Sequence, residues 1–181
     1  MRTRRGTSLV EMLIVLVLLG VLTSVAAPLM KPSTKGAVEQ NARLLAQDLD
    51  HARTKAYAAR TRVRVVVGDT IWRAYLDDNR DSVFAESAAE QTAFGNMNTR
   101  VIERGVVFGR GTAMRLLSDT AVSYTPGTRR VQFGTRGTTD PFGTNLVLYM
   151  THTDDASAVT AIEINSAANV RIWRWVEGVW Q

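Results

Sequence analysis

No cysteine occurs in the 181 residues, which excludes disulfides, thiolate metal ligands and a cysteine nucleophile. An oxidising compartment is compatible with that absence but not required by it. Histidine is scarce as well. His51 and His152 are the only two, far apart in sequence and without the local spacing of a zinc site; both are expected at a surface or a turn edge. No G-x-S-x-G, P-loop or dinucleotide fingerprint is present, and GRG and GTRG are short enough to be turns. These gaps lead to the expectation of a protein that is not an enzyme, with no catalytic residue and no cofactor it must hold. Net charge is also smaller than it looks. The formal +5 contains Arg2, Arg4 and Arg5, and without those three it falls to +2, so the rest of the chain lacks a strongly basic, nucleic-acid-like balance. With 45% hydrophobic residues, disorder is not expected either. Repeats and low-complexity tracts are missing.

What is present stands at the front. MRTRRG precedes TSLVEMLIVLVLLGVLTSVAAPLM, an apolar run from Leu9 to Met30 whose only charge is Glu11. A bilayer-spanning helix needs about 20 apolar residues, and arginines on the N-terminal side hold that end in the cytoplasm. An ionisable residue inside such a run costs about 2.5 kcal/mol or more near the bilayer centre and marks a function more often than an accident. Three readings fit the segment. One is an ordinary anchor with Glu11 at the lipid interface. Another is a secretory signal peptide cut near Val25-Ala26-Ala27.

The third rests on likeness. Gly6-Thr7-Ser8-Leu9-Val10-Glu11 resembles the processing site of type IV pilins and type II secretion pseudopilins. In that family a short basic leader ends in Gly, the cut follows it, and a Glu stands fifth after the cut. The resemblance implies cleavage between Gly6 and Thr7 by a prepilin peptidase, N-methylation of the new amine, and an assembly role for Glu11. Pro28 sits where many pilins carry a helix-bending proline. Thr7 departs from the Phe usual at its position.

Beyond Met30, Lys31-Pro32-Ser33-Thr34 forms a polar break. Val38, Ala42, Leu45, Leu49, Ala52 and Ala56 then recur every three or four residues, the stripe of an amphipathic helix. Glu39, Arg43, Asp48, Arg53 and Lys55 fall off that stripe. From Arg62 the period becomes two. Val63, Val65 and Val67, the Gly68-Asp69 turn and Ile71 to Leu76 predict a hairpin. Residues 77–98 read as a long loop with a short helix near Ala85 to Gln91. Further strands are expected at Val101 to Phe108, Val122 to Tyr124, Val131 to Phe133, Asn145 to Thr151, Val159 to Asn165 and Val170 to Trp175. The fold class expected is α+β, a long N-terminal helix packed against an antiparallel sheet or sandwich. The segments expected are a leader (1–6), a transmembrane and assembly helix (7–30), a distal amphipathic helix (31–60) and a β-rich head (61–181).

The order of elements is similar to the GspH/FimT branch of minor pseudopilins. LAQDLDHARTKAYAARTRVRVVVG, IWRAYLDDNRDS, VQFGTRG and NVRIWRW carry that likeness. It implies a structural subunit near the tip of a type II secretion pseudopilus, with a minor type IV pilin serving pilus assembly or DNA uptake as the alternative. Implied partners are other pilins through helix packing, the prepilin peptidase, an inner-membrane assembly platform and a secreted cargo. The implied place is the bacterial inner membrane, N-terminus cytoplasmic and head periplasmic.

Two lesser sites are named. Asp77, Asn79 and Asp81 have the alternate-oxygen spacing that opens a calcium loop, although Ser82 stands where Gly is wanted and Ala88 where the bidentate Glu belongs. Arg171, Trp173 and Arg174 resemble the C-terminal strand through which FimT-like DNA receptors act, with Asn169 in place of the glycine that begins that motif. Alternation puts Arg171 and Trp173 on one face of a strand and Arg174 on the other, so the arginines do not converge and DNA is a weak candidate partner.

Overall fold

The computed structural model describes residues 9–26, 33–95, 99–117, 122–123 and 129–181. The chain divides into two compact units, residues 1–33 and 34–181. In the first, α1 covers Leu9–Ala26. Leucine, valine and methionine are good or tolerable helix formers and no proline interrupts them. The helix is apolar on every side, and its large side chains from Leu9 to Leu22 are exposed. At 1.5 Å per residue it is about 27 Å long. Among the described residues no helix is long and apolar enough to cross a membrane. The rest of the apolar run, with Pro28, lies outside the described residues.

The second unit is built on α2, Thr34–Ala59. Every residue of the anticipated stripe, Val38 through Ala56, has no exposed surface. Fully burying a leucine or valine stabilises by about 1.5–3 kcal/mol, so Val38, Leu45 and Leu49 alone fix which face of α2 turns inward. Its C-terminus closes without glycine. Arg60 takes a left-handed backbone (φ 50°), Thr61 N donates to Ala56 O (3.2 Å) and Arg60 N to Tyr57 O (3.3 Å). That bond pair satisfies carbonyls the helix would otherwise leave open.

Two sheets pack on α2. The first has the order β3-β2-β1-β6, from β1 (Val63–Val67), β2 (Ile71–Leu76), β3 (Arg100–Val101) and β6 (Arg129–Phe133). The second runs β10-β9-β8-β7-β4 with β5 alongside β7, from β4 (Val106–Phe108), β5 (Val122–Ser123), β7 (Leu146–His152), β8 (Asp155–Ile164), β9 (Val170–Val176) and β10 (Val179–Trp180). Strands pair antiparallel except β5 with β7, which is parallel. α2 touches β1 and β6 of one sheet and β7, β8 and β9 of the other. One helix therefore supplies a core to both: Val63, Val65, Trp72, Ala74, Val131 and Phe133 from the first sheet, Leu146, Leu148, Met150, Ile162 and Ile164 from the second. The expected α+β architecture is found.

The expected strand over 101–108 is two strands. Gly105 adopts φ 89°, and a Cβ there would stand 2.5 Å from His152 Nε2. The chain turns at that glycine and crosses from the first sheet to the second. His152 is thus the last residue of β7, buried (9% exposed) at the edge of the turn that follows, the second of the two placements expected. His51 is exposed and meets the Phe94 ring edge-on. Asp48, expected off the buried stripe, is also inside (8% exposed). It accepts from Trp72 Nε1 (2.7 Å) and Arg100 Nε (3.3 Å), so a buried charge is paired, as burial demands.

The short helix falls three residues late, at Ala88–Phe94 (α3), opened by a capping box between Ser87 and Glu90. The loop before it is strapped across the first sheet. Glu86 accepts from Arg130 (Nε 2.6 Å, Nη2 3.2 Å) and Arg64 (Nη1 3.2 Å), while Arg64 lies over the Phe84 ring at 4.3 Å. The Arg130 bond, with help from Arg64, holds the Glu86 carboxyl below its ordinary range. A carboxylate with a lowered folded pKa contributes stability that is present above the unfolded value of about 4.5. That contribution is lost as pH falls through the lower folded value. Glu86→Gln is therefore expected to flatten part of the loss of thermal stability between about pH 6 and pH 3. At neutral pH the same change should cost about 1 kcal/mol or less, the pair being partly solvated. Thermal melts of both proteins across that range read both effects.

Candidate functional site

Glu11 lies in the first turn of α1, where a carboxylate is favoured by the unpaired N–H groups and the helix dipole. Its side chain is exposed, and among the described residues nothing pairs with it. Gly6 and Thr7, the expected cleavage pair, lie outside the described residues, as does Pro28.

The head places the other named residues apart. Arg174 Nη2 reaches Glu39 Oε1 on α2 (2.7 Å), and Glu39 also receives Arg43. Arg171 is exposed on the opposite face of β9, across from Glu163 of β8. Trp173 gives its indole N–H to Glu163 Oε2 (2.9 Å). Trp173 and Trp180 also pack on Val147, Tyr149 and Ala161, with Leu116 and Leu117, in a second apolar cluster on the outer face of the sheet. Trp180 anchors it by donating to Arg115 O (2.9 Å), and Tyr149 OH accepts from Leu117 N (3.1 Å). Sequence reasoning missed this cluster. Its signal was LVLYMTH, a run with no polar alternation, which a strand buried on both faces requires.

A cleft of about 470 Å³ opens where β8 and β9 splay apart near the start of α2, lined by Lys35, Glu39, Ser157, Arg174, Trp175 and Glu177 among others. Its charges balance. Ser157 donates its hydroxyl to Asp155 Oδ1 (2.6 Å), and no histidine lines the cleft, so a nucleophile with an activating imidazole is not assembled there. Asp155 also receives Thr34 Oγ1 (2.8 Å), fastening the start of α2 to β8. The Ser157 bond first, then the Thr34 bond, keeps the Asp155 carboxyl below its usual range.

Asp77 closes β2 and is buried (2% exposed), whereas Asn79 and Asp81 are exposed on the loop that follows. Among the described residues no group of three or more His, Cys, Asp or Glu gathers in metal-holding geometry.

Comparison with known proteins bears on the front of the chain and on the fold. Residues 1–27 match the prokaryotic N-terminal methylation motif. The fold matches the crystal structure of the type IV minor pilin FimU of Pseudomonas aeruginosa strain PAO1. The TM-score is 0.50 at 14% identity, over 80% of this chain and 92% of that one. In fold, this chain is type IV pilin-like. A search of curated protein sequences finds no match. The motif lies wholly in the first unit, and the fold likeness describes a scaffold rather than a ligand site.

Proposed function

We propose that this pilin-like chain is a minor structural subunit of an envelope filament, cut between Gly6 and Thr7 by a prepilin peptidase and assembled through α1. The observation that carries the proposal is the methylation motif over residues 1–27, continuous with an apolar helix whose one acid sits in its first turn. An apolar helix exposed on all sides needs either lipid or other helices around it, and a filament core supplies the second after the first. Membrane anchorage before assembly, with a periplasmic head, belongs to the same proposal and rests on the sequence, the apolar run from Leu9 to Met30 behind three arginines. A type II secretion pseudopilus is the system we favour from the GspH/FimT-like order of elements. A type IV pilus is the second reading, favoured by the likeness of fold to a type IV minor pilin. DNA contact is left out of the proposal because Arg171 and Arg174 leave β9 on opposite faces and Arg174 is held by Glu39.

The test is the mature N-terminus. Intact mass and N-terminal sequencing of the native protein should show a chain beginning at Thr7, its amine methylated. A chain beginning at Met1, or one cut after Ala27 by signal peptidase, would overturn the proposal.

A further inference from the structure

We propose that the loop of residues 77–83 is a weak calcium site. The observation that points to a ligand is Asp77. Its side chain is 2% exposed, yet its Oδ1 has no hydrogen-bond partner. A carboxylate oxygen left without a partner out of water is costly, and a bound cation removes that cost. The carboxylate is aimed into the loop, because its other oxygen, Oδ2, accepts from Ser82 N across it (3.0 Å).

The rest of the loop is tied by hydrogen bonds of its own. Asn79 Oδ1 accepts from Asp81 N (3.3 Å) and Asp81 Oδ1 from Val83 N (2.7 Å). Each of the three alternate side chains is thus fixed by a backbone N–H on one oxygen. Arg80 and Ser82 take left-handed backbones (φ 58° and 68°), which curl the chain tightly between Asp77 and Val83. Calcium takes six to eight oxygen ligands, and a loop of this kind offers them from alternate positions. Here those would be Asp77 Oδ1, the Asn79 amide oxygen, Asp81 Oδ2 and the Val83 carbonyl, with water completing the shell. Asp81 Oδ2 now accepts from Asn79 Nδ2 (2.8 Å), a bond the cation would replace.

No acid closes the site from the far side. Ala88 occupies that position, Glu86 is committed to Arg64 and Arg130, and Glu90 to the backbone of Ala85 and Ser87. Two carboxylates instead of three or four place the affinity in the weak class of extracellular modules, with Kd about 10⁻⁴–10⁻³ M. Magnesium, which demands tight octahedral geometry and keeps its waters, fits less well. The loop is tied to the first sheet by Asp77 N to Arg62 O (3.0 Å) and Thr61 Oγ1 to Asp77 O (2.6 Å). Calcium would therefore brace the joint between β2 and the Glu86 strap.

The experiment uses the full chain in a non-chelating detergent, stripped with EDTA and titrated with CaCl2 or MgCl2 at constant ionic strength. Calorimetry should give saturable calcium binding with half-saturation in the range above. At about ten times Kd the melting temperature should rise by roughly 3 °C, and with matched magnesium by far less. Asp81→Asn should weaken binding about tenfold and Asn79→Asp should tighten it about tenfold, ligand charge being the main lever on affinity. Asp77 is buried and its substitution risks the fold, so Asn79→Asp, on an exposed residue, carries the decision. A wild type whose melting does not distinguish calcium from magnesium would overturn the proposal. So would variants at Asn79 and Asp81 that both keep the wild-type half-saturation.

Discussion

Trp72→Ala is expected to destabilise the head by about 3–5 kcal/mol, a large share of the roughly 5–15 kcal/mol that holds a typical domain folded. Trp72 heads the fully buried side chains by volume and stands on β2 against α2. Truncation removes the most apolar contact available at one site and leaves a cavity between a helix and a sheet that are both fixed elsewhere, so collapse is limited. It also strips Asp48 of its 2.7 Å indole donor. That leaves a buried carboxylate with the Arg100 guanidinium, itself half exposed. The two losses separate experimentally. Trp72→Phe keeps most of the volume and loses the N–H, and should cost about 1–3 kcal/mol. Urea unfolding of the detergent-solubilised full chain measures both. A Trp72→Ala change below about 1 kcal/mol, the level of an ordinary surface substitution or less, would mean that α2 and β2 do not share a core.

Trp72 also shows where sequence reading stops. The α2 stripe was legible because helical spacing is a local signal, and each of its six residues is fully buried. Ala37, Asn41, Ala46 and Asp48 are buried too, since α2 faces two sheets and its covered arc is wider than one apolar stripe. Nothing local announces that. The partner of Asp48 lies 24 residues on, and Glu103, which takes Asn41 Nδ2 at 3.2 Å, lies 62 away. Gly105 carries a local signal: glycine between two β-branched stretches marks a turn, and its positive φ divides β3 from β4. The β9–β10 hairpin was readable as well. Glu177 and Gly178, both at positive φ, make the two-residue turn such hairpins favour. The start of β8 at Asp155 was not, because Asp-Ala-Ser-Ala is poor strand sequence and is held there by an irregular register against β7. For the front of the chain the position was the reverse: residue order alone picked out Glu11, and the structure adds that, among the described residues, α1 offers it no partner.

Glu11→Ala is expected to leave processing intact and to lower filament incorporation about 100-fold or more. In the proposed filament α1 leaves lipid for a bundle of identical or similar helices, and its exposed leucines and valines lose little by the exchange. Apolar contact therefore holds the bundle without fixing how far one helix slides along the next. A charge does fix it. The Glu11 carboxylate is unpaired within its own helix, and the amine of a neighbouring chain's first residue is the nearest cation a cleaved, basic-leader-free subunit can offer. Breaking a buried pair by removing one partner costs about 3–5 kcal/mol, and each 1.4 kcal/mol is about a factor of ten in equilibrium. With Glu11→Ala the neighbour's ammonium is left in an apolar core, so subunits should stay in the membrane. Glu11→Gln separates charge from hydrogen bonding: it keeps an acceptor but leaves the ammonium uncompensated, and should fail nearly as badly. Immunoblots of sheared filaments against membrane fractions, with intact mass to confirm cleavage, read both steps. Normal incorporation of Glu11→Ala would strip the carboxylate of its role and leave apolar packing alone to set register, which a helix of interchangeable leucines and valines is poorly built to do.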